Sequence, residues 1–154
     1  MAANEEAIAI LNELLAMEQG QFALRLVEST PFISRAGVEQ ARLLRELEDK
    51  ARRHAGMLSD AVIRLEGSPG MRFRDINSAH VHFQQIQVIW PELVDDVRRL
   101  VQAYRVGAEK LAGCPQAARV TGDILADHEH SLQQLESSLA AMRGESAVSG
   151  SAGG

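Results

Sequence analysis

Cysteine, aromatic residues and basic charge are all scarce in this chain. The single cysteine, Cys114, has no internal partner for a disulfide, so the reading is a protein of a reducing compartment, the cytoplasm. Aromatic residues make up 4% of the 154 residues, with one Trp and one Tyr, too few for the core of a sandwich or barrel. Lys and Arg number 16 against 21 Asp and Glu, a net charge of −5 that speaks against a general nucleic-acid binder. No apolar run approaches the roughly 20 residues that span a membrane, and the opening MAANEEAIAI lacks the basic start of a signal peptide.

Strong helix formers are plentiful: Ala, Leu, Glu, Gln and Arg. Apolar residues recur at spacings of three and four, which predicts four long helices. The first runs over about 5–27, capped by Asn4, with Ile8, Leu11, Leu15, Phe22 and Leu26 inward and Ser29-Thr30-Pro31 as its end. The second runs over about 35–65, capped by Ser34, with Leu44, Leu47, Ala51, Leu58, Val62 and Leu65 inward. Glu66-Gly67-Ser68-Pro69-Gly70 stops it with a glycine and a following proline. Residues 68–77 show no helical period and form a long connection. The third helix covers about 78–111, with Ile86, Trp90, Val94, Val97, Val101, Tyr104, Ala108 and Leu111 inward; Pro91 either kinks it, as the upstream stripe favours, or stands in the first turn of a later start. The fourth covers about 116–142 with Val120, Ile124, Leu132, Leu135 and Leu139 inward.

Short loops make the first and second helices antiparallel neighbours, and likewise the third and fourth. The long connection then crosses the bundle along its length. The fold class is all-α, a four-helix bundle with one long crossover between the second and third helices. Residues 1–143 form this bundle, and 144–154, rich in Ser, Gly and Ala, read as a disordered tail.

Polar residues inside the apolar stripes carry the functional information, because a bundle core is otherwise apolar. Glu18 lies mid-stripe between Leu15 and Phe22, His54 at a stripe edge between Ala51 and Leu58, and His128 between Ile124 and Leu132 with Ser131 one turn on. Three helices thus aim one carboxylate and two imidazoles at the bundle axis. A buried carboxylate must be paired, protonated or metal-bound. The three residues therefore form either a metal site suited to iron, zinc or manganese, or a hydrogen-bonded polar network. His80 and His82 lie on opposite helix faces, and His130 points away from its stripe. Arg25, beside the first stripe, is a candidate partner for a carboxylate.

Three segments carry a likeness to a known family. They are Leu11-Asn12-Glu13-Leu14-Leu15-Ala16-Met17-Glu18, then His54-Ala55 followed by Ile63-Arg64-Leu65-Glu66-Gly67-Ser68-Pro69-Gly70, and Ile124-Leu125-Ala126-Asp127 with Leu135-Glu136. In these, in helix lengths and in the crossover, the chain resembles a bacterioferritin of the ferritin-like superfamily. The resemblance implies a ferritin-like bundle, a shell of subunits and iron storage. The family's di-iron centre takes a Glu from the first helix, Glu-x-x-His from the second, a Glu from the third and a second Glu-x-x-His from the fourth. Carried over, Glu18 and His54 match. Ala51 stands where the second helix's Glu belongs, His128 and Ser131 replace the fourth helix's pair, and the third helix offers Val94 inward with Asp95 off the stripe.

These departures remove both bridging carboxylates, so the resemblance implies no complete ferroxidase centre and leaves either a single metal, iron by the resemblance, on Glu18, His54 and His128 or none. Arg52 falls at the haem-binding methionine position, with Met57 nearby but out of register, so haem is not expected. Three functions compete. One is an iron-storage or metal-binding protein, as a homo-oligomer or co-assembled with a related, complete subunit. Another is a mononuclear metal enzyme. The third is a metal-free interaction or signalling bundle resembling a histidine phosphotransfer domain, with His54 in Arg53-His54-Ala55-Gly56 as its reactive residue. That last reading requires an exposed His54.

Overall fold

A computed structural model describes residues 2–29, 36–70 and 85–152 of the chain. Its helices are α1 (Ala2–Gln19), α2 (Phe22–Glu28), α3 (Val38–Arg64), α4 (Ile86–Lys110) and α5 (Pro115–Ala152), with no strand among the described residues. The first rod is therefore two helices rather than one. Gly20 still bonds back to Ala16 and Met17, but Gln21 is extended at ψ 140°. The break is held from across the bundle, where the Asp96 carboxylate accepts the Phe22 N–H at 3.0 Å and caps α2. Helix starts also differ from the sequence reading. Asn4 lies inside α1, and α3 starts at Val38 after Gly37, while Ser34 lies outside the described residues.

The contacts fix the direction of each rod. Asn12 bonds Ser68 and Gly70 while Glu18 faces His54, so α1 and α3 run antiparallel. Trp90 donates to the Leu135 carbonyl while Arg105 pairs with Glu129, so α4 and α5 do too. Phe22 meets Asp96 while Glu18 meets Tyr104, so α1–α2 and α4 are antiparallel as well. By elimination α3 and α4 run parallel. A chain leaving the end of α3 must return the length of the bundle before α4 begins, which is the single lengthwise crossover.

The apolar pattern starts the third helix at about 78. Gln85 is instead extended, at φ −76° and ψ 150°, and α4 starts at Ile86. Residues 71–84, with His80, His82 and Phe83, lie outside the described residues. One turn precedes Pro91, so the missing N–H costs its hydrogen bond, to the Gln87 carbonyl, close to the helix start. At the other end of the chain α5 runs on to Ala152, through residues that composition assigned to the tail.

The end of α3 reverses an expectation about glycine. Glu66, not Gly67, takes the left-handed conformation, at φ 64°. Glu66 N–H donates to Ile63 and Gly67 N–H to Val62, each at 2.9 Å, closing the helix with a Schellman motif. Gly67 serves contact instead, since a Cβ there would lie 2.8 Å from Ile8 Cδ1.

Two apolar clusters fill the bundle. One holds Phe22, Leu26, Leu44, Leu47, Trp90, Val94, Val97 and Leu135, and the other Leu11, Leu15, Leu58, Val62, Tyr104 and Ile124. Between them along α1–α2, α3 and α5 lie the buried polar residues Glu18, Gln21, His54, His128 and Ser131. A polar layer thus divides the core.

Candidate metal centre

The rods converge on one carboxylate. Glu18 and His54 are fully buried and His128 is 2% exposed. Tyr104 donates its hydroxyl to Glu18 Oε1 at 2.6 Å, and His128 Nε2 lies 2.5 Å from the same oxygen. A carboxylate only accepts, so the His128 Nε2 proton points at it. Gln21 Nε2 donates to the other oxygen, Oε2, at 2.5 Å. The His54 and His128 rings meet edge to face with centroids 4.7 Å apart.

His54 is clamped from outside. Its Nε2 lies 2.8 Å from Asp127 Oδ2, and Arg53 Nη2 lies 2.8 Å from the same oxygen. The ring nitrogen left over, Nδ1, is buried without a hydrogen-bond partner. It stands 3.4 Å from Glu18 Oε1, an electrostatic contact without hydrogen-bond geometry. A bare lone pair facing a carboxylate repels it. A proton or a metal ion between the two removes that repulsion.

Burial pushes the Glu18 carboxyl up, but the hydrogen bond from His128 and the charge of His128 and His54 outweigh it and hold the group at about 2, against an ordinary 4.5. Burial pushes the His54 imidazole down, and Glu18 and Asp127 together outweigh it and raise it above the ordinary value. Asp127 is drawn down by His54 and Arg53 against its own desolvation. Desolvation, with the Glu18 charge beside it, raises the Tyr104 hydroxyl and keeps it a proton donor.

The three residues picked from sequence therefore come together: one ligand atom from each of Glu18, His54 and His128 lies within 4.8 Å of the others. His130 is exposed, as its position off the stripe implies. Ala51, Val94 and Ser131 are buried and bring no carboxylate or imidazole. Ser131 instead accepts a bond from Lys50 Nζ at 2.9 Å. Arg25 places its guanidinium 5.4 Å from the Phe22 ring centroid, a cation–π contact. Arg52 is exposed and pairs with Glu48.

Sequence reasoning passed over Gln21 and Asp127. Gln21 lies three residues after Glu18, and Asp127 precedes His128, so both fall off the stripe centres. The signal that could have found Gln21 is that same i, i+3 spacing, which puts its amide next to a buried carboxylate.

The donor set fits one divalent metal. Two imidazoles and a carboxylate suit zinc, iron or manganese, and the orphaned His54 Nδ1 faces the space between the ligands. Two ligands of one metal sit roughly 3 Å apart at bonds of about 2 Å. Glu18 and His128 at 2.5 Å must then separate slightly as the metal replaces their shared proton. The Asp127–His54 contact fixes which ring nitrogen faces inward, as outer carboxylates do for histidine ligands.

No protein-family model matches the chain, and no curated protein sequence matches it. Among solved structures it is similar to the bacterioferritin of Desulfovibrio desulfuricans, whose X-ray structure records a diiron site in different catalytic states. The likeness has a TM-score of 0.78 at 18% identity and covers 93% of this chain and 83% of the other. At that identity the likeness speaks for the fold. Four antiparallel-paired rods joined by one lengthwise crossover form, in this chain, a ferritin-like bundle.

Proposed function

We propose that this chain is a ferritin-like metal-binding protein that holds one divalent ion on Glu18, His54 and His128 and takes part in iron storage without a complete ferroxidase centre. The observation that carries the reading is the buried, unpartnered His54 Nδ1 facing Glu18 Oε1 at 3.4 Å, with His128 Nε2 beside them. The bacterioferritin fold of the similar structure supports iron as the ion. Assembly with copies of itself, or with a related subunit that has its own diiron site, belongs to the same reading. So does a cytoplasmic location; among the described residues no helix is long and apolar enough to cross a membrane. Ala51, Val94 and Ser131 leave no bridging carboxylate to offset the repulsion of a second ion.

A metal-free network is the second reading, favoured by the 2.5 Å contact of His128 with Glu18. Phosphotransfer through His54 finds no support in the geometry, because that side chain is fully buried with Nε2 turned to Asp127. Metal analysis of the purified protein with its mass in solution, followed by calorimetric titration with Fe(II) and Zn(II), tests the proposal. One ion per chain, lost in His128→Ala, supports it. No binding by the intact chain overturns it and leaves the network.

A further inference from the structure

Resting on the single-metal reading, we propose that Gln21 is a specificity-determining residue: it holds Glu18 to one metal–oxygen bond and so tunes the centre toward low-coordinate ions such as Zn(II) over ions such as Mn(II). The two oxygens of Glu18 are held differently. Oε1 faces both imidazoles and receives the Tyr104 hydroxyl at 2.6 Å. Oε2 is held by Gln21 Nε2 at 2.5 Å. Gln21 is 3% exposed and Glu18 fully buried, so no solvent competes for that bond. The amide orientation follows from chemistry, since an amide oxygen turned to a carboxylate would repel it.

Chelation by both oxygens would require the carboxylate to rotate Oε2 toward the imidazoles. That rotation breaks a charge-assisted bond in a dry site and leaves the Gln21 amide unpaired. The Gln21 backbone helps keep the amide in place. Gln21 is the extended residue between α1 and α2, and Asp96 fixes the break by capping Phe22. Ala51, Val94 and Ser131 supply no further carboxylate at neighbouring buried positions. The protein then offers one oxygen and two nitrogens. Ions content with few ligands suit that set better than Mn(II), which binds it but prefers six mostly oxygen ligands.

Co(II) reports coordination number through the strength of its visible absorption, strong at four ligands and faint at six. The experiment loads the full-length protein with Co(II) and measures competing Zn(II) and Mn(II) affinities for wild type, Gln21→Met and Gln21→Ala. Met keeps most of the side-chain volume while removing the donor, and far-UV circular dichroism checks each fold. The wild type is expected to give the strong band. Both variants are expected to weaken it and narrow the Zn(II)-over-Mn(II) preference by about 10-fold, within the range for residues that orient metal ligands. A faint six-ligand spectrum in the wild type overturns the proposal without any variant. So does a band and an affinity ratio unchanged in a folded variant. Failure of the wild type to take up Co(II), Zn(II) or Mn(II) overturns the single-metal reading itself, and this proposal with it.

Discussion

His54 and Glu18 face each other at 3.4 Å inside the bundle, yet the histidine nitrogen nearest the carboxylate has no hydrogen-bond partner. His54 is not free to turn away, because its other nitrogen lies 2.8 Å from Asp127. The consequence is a position for positive charge between two apolar clusters, open to a proton or a metal.

In the metal-free protein, stability should peak in mildly acidic solution. Glu18 is held at about 2 against 4.5, so its contribution is complete above 4.5 and is lost as pH falls toward 2. His54 is raised, so its contribution is complete below its ordinary 6.5 and is lost as pH rises through its raised value. Thermal melts in the presence of a chelator should therefore be highest between about 4.5 and 6.5 and decline above that window. A melting temperature that climbs steadily from neutral to alkaline pH would count against a charged His54. Metal affinity should move the opposite way, weakening as pH falls, since protonated imidazole does not ligate.

Leu15 and Leu58 are 1% and 0% exposed, in the apolar cluster on one side of the polar layer. Leu15→Ala and Leu58→Ala should each destabilise by roughly 2–5 kcal/mol in urea melts. Losses within about 0.5 kcal/mol of zero, the range of surface substitutions, would mean that these positions are not core.

The end of α3 separates two roles that often fall to one glycine. Gly67→Ala puts a Cβ 2.8 Å from Ile8 Cδ1 and should destabilise by about 1–3 kcal/mol. Glu66→Gly removes a side chain from a left-handed residue at φ 64° and should stabilise by up to about 1 kcal/mol. Equal effects of the two substitutions would contradict this division.

Iron oxidation by the isolated chain should be slow. Glu18 is a matched carboxylate, but Ala51 and Ser131 stand where the family resemblance places further ligands, and Val94 fills the inward position of α4. Stopped-flow oxidation of Fe(II) that is rapid, with two irons bound per chain, would refute this.

Much of this arrangement was legible in the sequence because helical periodicity is local. An uninterrupted spacing of three and four carried Glu18, His54 and His128 to the interior, and rod lengths with one long connection implied the crossover. What escaped depends on contacts distant in the chain. Gly20 looks tolerable within a helix, and the break beside it is fixed by Asp96, 74 residues from the N–H it caps. Asp127 sits off its stripe and earns its role only through His54, 73 residues away. Gly67 sits beside a helix end, where glycine suggests the left-handed position, but packing against Ile8 claims it instead. The start of α4 depends on an extended Gln85 that an apolar pattern does not reveal.

The most direct measurement is calorimetric titration of the metal-free, full-length protein with Zn(II) and, without oxygen, Fe(II), repeated on His128→Ala and Glu18→Gln. A metal centre on Glu18, His54 and His128 should give one ion per chain, proton release on binding, and affinity reduced by at least about 10-fold in each variant. Absence of binding in the wild type, or binding that both variants leave unchanged, would contradict a metal centre on Glu18, His54 and His128.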